Sequence, residues 1–146
     1  MYIIRKKFKF ECAHKLESSY STCCQHIHGH SYIVEVKVQS SYLNSDGMVI
    51  DFGLLKTIIE PLIKIWDHQI ILQNTNENRE YDKNAVLVSF NPTAENMARY
   101  LYSHISSSLF SMPEKSIKDQ EISLKSVRVH ETDTGWAEYK SDAYNC

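Results

Sequence analysis

"HGHSYIVEVKVQ", residues 28–39, decides the fold because it reads at a period of two. His28, His30, Tyr32, Val34, Val36 and Val38 fall on one side, and Glu35, Lys37 and Gln39 on the other. Successive side chains of a strand point to opposite faces, so this is a half-buried strand whose apolar face begins in two histidines. Upstream, residues 2–14 repeat the pattern. Phe8, Phe10, Cys12 and His14 share one face, while Lys7, Lys9 and Glu11 share the other. If the two strands pair antiparallel through the long connection 15–27, the end of the first meets the start of the second. His14 then lies near His28 and His30.

Downstream, "NSDG" at 44–47 is a turn. Asp51 can cap a helix with apolar positions Phe52, Leu55, Ile58, Ile59, Leu62, Ile63 and Trp66, in which Pro61 should cause a kink or a break. Residues 73–84, "QNTNENREYDKN", are polar and read as a loop. Thr93, after Pro92, can cap a second helix whose buried stripe is Met97, Leu101, Ile105 and Leu109. "SMPEKSIKDQ" reads as another loop. Residues 121–131 form a strand whose phase slips between Leu124 and Val127, which suggests a bulge. "TDTG" turns the chain into a last strand over 136–141. The order β-β-α-α-β-β predicts an α+β fold: a four-stranded antiparallel sheet with two helices on its apolar face.

The chain has 146 residues, enough for one domain over 1–146 with a sizeable core. Its net charge of -2 gives no sign of a nucleic-acid surface. No apolar run approaches a membrane span, and "MYIIRKKFKF" lacks a signal-peptide core. Cys12, Cys23, Cys24 and Cys146 make no disulfide framework, so a reduced, cytoplasmic protein is expected.

"CCQHIHGHSY", residues 23–32, could hold a metal, a reactive cysteine or both. His26, His28 and His30 have one parity, so any of them could join His14. Three imidazoles without a fourth protein ligand mark a catalytic zinc site rather than a structural one. Gly29 would let another backbone or a substrate come close. Cys23 or Cys24 could be a fourth ligand, a thiolate base or a buried packing residue. Asp67 and His68, in "WDHQIIL", pair a carboxylate with an imidazole, which suits acid–base work but also helix capping. Glu131 shares a face with Val127 and Val129. It is either a solvated turn residue or the partner of a ligand with adjacent N–H donors.

Together these stretches resemble the 6-pyruvoyl-tetrahydropterin synthase and 6-carboxytetrahydropterin synthase family. The resemblance rests on "FECAHKL", "CQHIHGHSY", "GMVIDFGLLK", "WDHQIIL", "NPTAENMA" and "VRVHETDTGWAEY", in family order across nearly the whole chain. It implies the tunnelling fold, in which four-stranded units close into barrels, typically as homohexamers. It implies zinc held by His14, His28 and His30 but not His26. Cys24 matches the catalytic cysteine, Asp67 and His68 the rest of the catalytic group, and Glu131 the pterin anchor. Thr93 and Glu95 lie in the motif beside that pocket. The implied substrate is 7,8-dihydroneopterin triphosphate. Three residues between Cys24 and His28 resemble the bacterial carboxytetrahydropterin branch of queuosine biosynthesis; Cys23 departs from the pattern. The alternatives are 6-pyruvoyl-tetrahydropterin synthase, an aldolase-like activity on dihydroneopterin, and a non-enzymatic metal-binding protein.

Overall fold

A computed structural model describes residues 1–81, 83–112 and 121–141. The predicted loop 111–120 and Cys146 fall largely or wholly outside them. Strand β1 runs Tyr2–His14 and β2 runs His28–Ser40. They pair antiparallel over their full length, with His14 opposite His28 and Cys12 opposite His30. β5, Ser123–His130, lies against the other edge of β2, and β6, Trp136–Tyr139, against β5. The β2–β5 register slips between Lys37 and Val38, opposite Ser126 and Leu124, so the bulge is present.

The α+β class stands, but the sheet has six strands rather than four, in the order β4-β3-β1-β2-β5-β6. The two extra strands are β3, Gln69–Gln73, and β4, Val86–Val88. Both run parallel to their neighbours, and β3 touches β1 only at Cys12–His14. On that side the earlier part of β1 has no strand partner among the described residues. The stretch read as a loop over 73–84 also contains a short helix, α2, Asn76–Tyr81. It has no apolar stripe. Thr75 Oγ1 accepts from Asn78 N, and the buried Asn78 amide donates to Glu17 Oε1 and to the Gln73 carbonyl. Polar satisfaction, not hydrophobic periodicity, holds this turn of helix.

Helix α1, Phe52–Lys64, starts where Asp51 Oδ1 accepts from Gly53 N and Leu54 N. It continues through Pro61 unbroken. Helix α3, Ala94–Phe110, is capped by Thr93 Oγ1, which accepts from Asn96 N. Leu55, Ile59 and Ile63 of α1 and Met97, Leu101, Ile105 and Leu109 of α3 join one core with Phe8, Phe10, Tyr32, Val34, Val36 and Val38. Phe10 stacks on Tyr32, ring centres 5.0 Å apart, just below the histidines. The opposite face of the sheet is ionic. Glu35, only 3% exposed, contacts Arg5, Lys7 and His130, and Glu138 contacts Lys37 and Arg128. No described helix is long and apolar enough to cross a membrane.

Candidate metal and catalytic site

The end of β1 and the start of β2 bring His14, His28 and His30 together. Their ligand nitrogens lie within 4.8 Å of one another. His14 is fully buried at the floor, and its Nδ1 lies 2.7 Å from the carbonyl oxygen of Pro92, to which it donates. His28 Nδ1 lies 2.8 Å from the His26 carbonyl and donates there. Each donation fixes the tautomer and leaves Nε2 as a bare lone pair. The two Nε2 atoms then face each other at 3.0 Å. Among the described residues, His30 Nε2 is buried with no hydrogen-bond partner. Glu131 Oε1 lies 3.3 Å from His14 Nε2 and 3.6 Å from His30 Nε2.

Acceptors that converge this way repel one another unless a cation lies among them. Burial is the largest influence on His14 and His30, and it lowers the pKa of both, so the rings are neutral and their lone pairs free. Three imidazole nitrogens aimed at one point fit zinc and leave a fourth position open. His26 contributes its carbonyl rather than its ring to this arrangement, holding His28 in place. The hydroxyl of buried Tyr32, 3.3 Å from both ring nitrogens of His14, completes the floor.

Glu131 is set by the turn that follows β5. Its N–H donates to the Gly135 carbonyl, and Gly135 N–H donates to Thr132 Oγ1. A cavity of about 330 Å³ opens beside it, lined by Thr93, Glu95, Trp136 and Leu16. Thr93 and Glu95 are brought there by the start of α3, so Glu131, Thr93 and Glu95 share one cavity.

Asp67 and His68 form a second unit on the other side of β1. Asp67 Oδ1 accepts from Glu11 N at 3.0 Å and lies 2.9 Å from His68 Nδ1. The Glu11 N–H, with the His68 ring adding to it, holds the Asp67 carboxyl below the usual range. His68 N donates in turn to the Glu11 carbonyl, so the pair clasps the backbone edge of β1. His68 takes a left-handed φ of 60° to do so, and its ring is 77% exposed. Cys24 sits half-buried in a 3-10 turn, Thr22–Gln25, whose Cys24 carbonyl accepts from Leu16 N. Among the described residues no hydrogen bond or ion pair joins Cys24 to Asp67 or His68. Cys12 is no candidate base, because burial pushes its thiol up to about 12. A Cβ on Gly29 would lie 3.6 Å from the Cys12 carbonyl, an ordinary contact, so packing within the chain does not require glycine there.

Sequence patterning missed the orienting carbonyls of Pro92 and His26, since any residue supplies a carbonyl. It also passed over Trp136 beside the Glu131 cavity, whose partner Arg128 stacks 3.8 Å from the ring centre.

Residues 3–142 match the family model described as 6-pyruvoyl tetrahydropterin synthase. The 6-carboxy-5,6,7,8-tetrahydropterin synthase of Haemophilus influenzae is 31% identical over 152 residues, covering 96% of this chain and 99% of that protein. The Helicobacter pylori (strain J99) protein of the same name is 34% identical over 148 residues, covering 93% and 71%. Among solved structures, an uncharacterised protein from Wolinella succinogenes superposes with a TM-score of 0.77 at 22% identity, covering 97% and 98%. The 6-pyruvoyl tetrahydropterin synthase of Caenorhabditis elegans superposes with a TM-score of 0.68 at 23% identity, covering 96% and 95%. At these identities the two structures speak for the fold.

The geometry separates ring from carbonyl at two neighbouring histidines. His28→Ala should abolish zinc binding, whereas His26→Ala should leave zinc content nearly intact, as read by elemental analysis of purified protein. Equal loss in both variants would contradict the ligand set.

Proposed function

The chain belongs to the 6-pyruvoyl tetrahydropterin synthase family, and on that footing we propose that it is a zinc-dependent lyase acting on 7,8-dihydroneopterin triphosphate. Its product is 6-carboxy-5,6,7,8-tetrahydropterin, with loss of acetaldehyde and triphosphate, a step of queuosine biosynthesis. The observation that carries this reading is the convergence of three acceptor nitrogens beside the carboxylate-lined cavity of Glu131. We read residues 1–146 as one pterin-synthase-like domain, since one core cluster runs through the described residues. Its partners are the pterin substrate and further copies of the chain. Unpaired Cys12, Cys23 and Cys24 suit the reducing cytoplasm.

His14, His28 and His30 would hold the zinc, which supplies a Lewis acid for the substrate's side-chain oxygens and for negative charge developing on them. Glu131 receives the paired N–H donors of the pterin ring edge, strong bonds because the acceptor is charged. Thr93 and Glu95 wall the same cavity. Cys24 removes the carbon-bound proton as general base. His68 moves protons through Nε2, since its Nδ1 is committed to Asp67. The ionised Asp67 balances the imidazolium that forms when His68 takes a proton. Carbon–carbon cleavage then distinguishes the carboxy product from the pyruvoyl one.

Among the described residues no hydrogen bond or ion pair joins Cys24 to the Asp67–His68 unit within one chain. The open side of β1 and the outer edge of β6 leave backbone groups that a second copy can pair. A homohexamer would close these edges and bring Cys24 of one subunit to His68 of the next.

Cys24→Ala should keep zinc and lose turnover by roughly 10²–10⁴-fold, the usual range for a general base. Cys23→Ala should be almost silent. Mass spectrometry of the wild-type reaction should find the carboxy product; a pyruvoyl product would favour the sister activity, and a zinc-loaded protein that releases no triphosphate would favour a metal-binding protein without catalysis. Loss of zinc in Cys24→Ala would make that residue a ligand. Mixing and reassembling Cys24→Ala with His68→Ala subunits should restore up to about a quarter of wild-type activity if sites form between subunits at random. No recovery, together with a monomeric mass by light scattering, would contradict the shared site.

A further inference from the structure

Below the histidines, the apolar face of β2 runs Tyr32, Val34, Val36 and Val38, and of these only Tyr32 carries a polar side-chain atom. Its register partner on β1, Phe10, fills the same layer with a bare ring. Packing therefore calls for an aromatic ring at this level and not for a hydroxyl. Tyr32 is 1% exposed, and a phenol buried so deeply is costly unless its O–H finds an acceptor. Burial above all pushes its pKa up, so the phenol keeps its proton and has a bond to donate.

The ring is held on several sides. It stacks on Phe10 with 10° between the planes and meets His14 and His30 edge-on, at 89° and 77°. The hydroxyl oxygen lies 3.3 Å from both Nδ1 and Nε2 of His14, and equal distances put it in line with neither nitrogen's hydrogen-bond direction. The Nδ1 proton already goes to Pro92, and the Nε2 lone pair faces the point where the three imidazoles converge. The acceptor that remains is the Glu131 carboxylate, to which the hydroxyl donates. Glu131 needs such a partner. Its Oε1 stands 3.3 and 3.6 Å from the Nε2 atoms of His14 and His30, and among the described residues no lysine, arginine or backbone N–H reaches its carboxylate. The backbone bond to Gly135 fixes the turn but leaves the rotations of the Glu131 side chain free.

We propose that Tyr32 is a positioning residue that acts through Glu131: its hydroxyl holds the carboxylate from the core side, so that the other side meets a flat heterocycle with two adjacent N–H donors in the cavity that Glu131 lines. On the function proposed above, on which this inference rests, that heterocycle is the pterin ring. A group that binds with a set direction needs a support that is itself locked, and the Tyr32 ring is locked by the core. The same hydroxyl borders the His14 ring, so the imidazole cluster and the Glu131 cavity share one rigid support.

Tyr32→Phe removes the oxygen and keeps the ring. A crystal structure of the zinc-loaded wild type should place the hydroxyl within about 2.5–3.0 Å of a Glu131 oxygen, and that of Tyr32→Phe should show the carboxylate turned from this position. Zinc content should match wild type, since no imidazole is lost. Fluorescence titration with unsubstituted pterin, which has the ring edge but neither side chain nor phosphates, should give a Kd about tenfold weaker in the variant. In a Glu131→Gln background the same change should weaken pterin by less than about twofold, because the hydroxyl acts through the carboxylate. In turnover KM should rise by more than kcat falls. A wild-type hydroxyl out of reach of Glu131, or pterin bound alike by wild type and Tyr32→Phe, overturns the positioning role. So does an equal loss in the two backgrounds, which would mark Tyr32 as packing alone. A protein that shows the bond, and the turned carboxylate in the variant, but does not bind pterin keeps the role and overturns the pterin reading instead.

Discussion

Everything at the site depends on the register of β1 against β2. The antiparallel pairing puts His14 opposite His28 and Cys12 opposite His30. A slip of one residue would turn every side chain of one strand to the other face. His14 would then leave the apolar side, and the three nitrogens could not meet. The register is held by what lies below the histidines. Phe8 and Phe10 from β1 and Tyr32, Val34, Val36 and Val38 from β2 are all buried against α1 and α3. On the opposite face Glu35 gathers Arg5, Lys7 and His130, so a slip would also put a carboxylate into the core. The same alternation that builds the core therefore aims the histidines.

Convergence alone would not make a metal site. The Pro92 and His26 carbonyls take the Nδ1 protons of His14 and His28 and turn the free lone pairs inward. Pro92 stands just before Thr93, the cap of α3, so the element that walls the Glu131 cavity also orients the His14 ring. The His14 ring and the Glu131 cavity are thus positioned by one loop. The Asp67–His68 unit is positioned independently, by the backbone of Glu11 on the far side of β1.

The legible parts of the sequence were those with a strong period or a cap. β1, β2, the bulge in β5, Asp51 and Thr93 all announce themselves through alternation or side-chain chemistry. β3 and β4 did not, because each is short and shows only a brief apolar run, "IIL" and "VLV". α2 was hidden because a buried Asn78, rather than an apolar stripe, secures it. Parity alone allowed His26, His28 and His30 equally; the hydrogen bond of His28 to the His26 carbonyl separates them.

The central claim is that this packing presents three imidazole nitrogens, and no sulfur, to one zinc ion. X-ray absorption at the zinc edge of the loaded protein tests it most directly. The account predicts one zinc per chain with a first shell of nitrogen and oxygen at about 2.0–2.1 Å and outer-shell scattering from three imidazole rings. A sulfur at about 2.3 Å would place Cys24 or Cys23 among the ligands, close the fourth position and contradict the account.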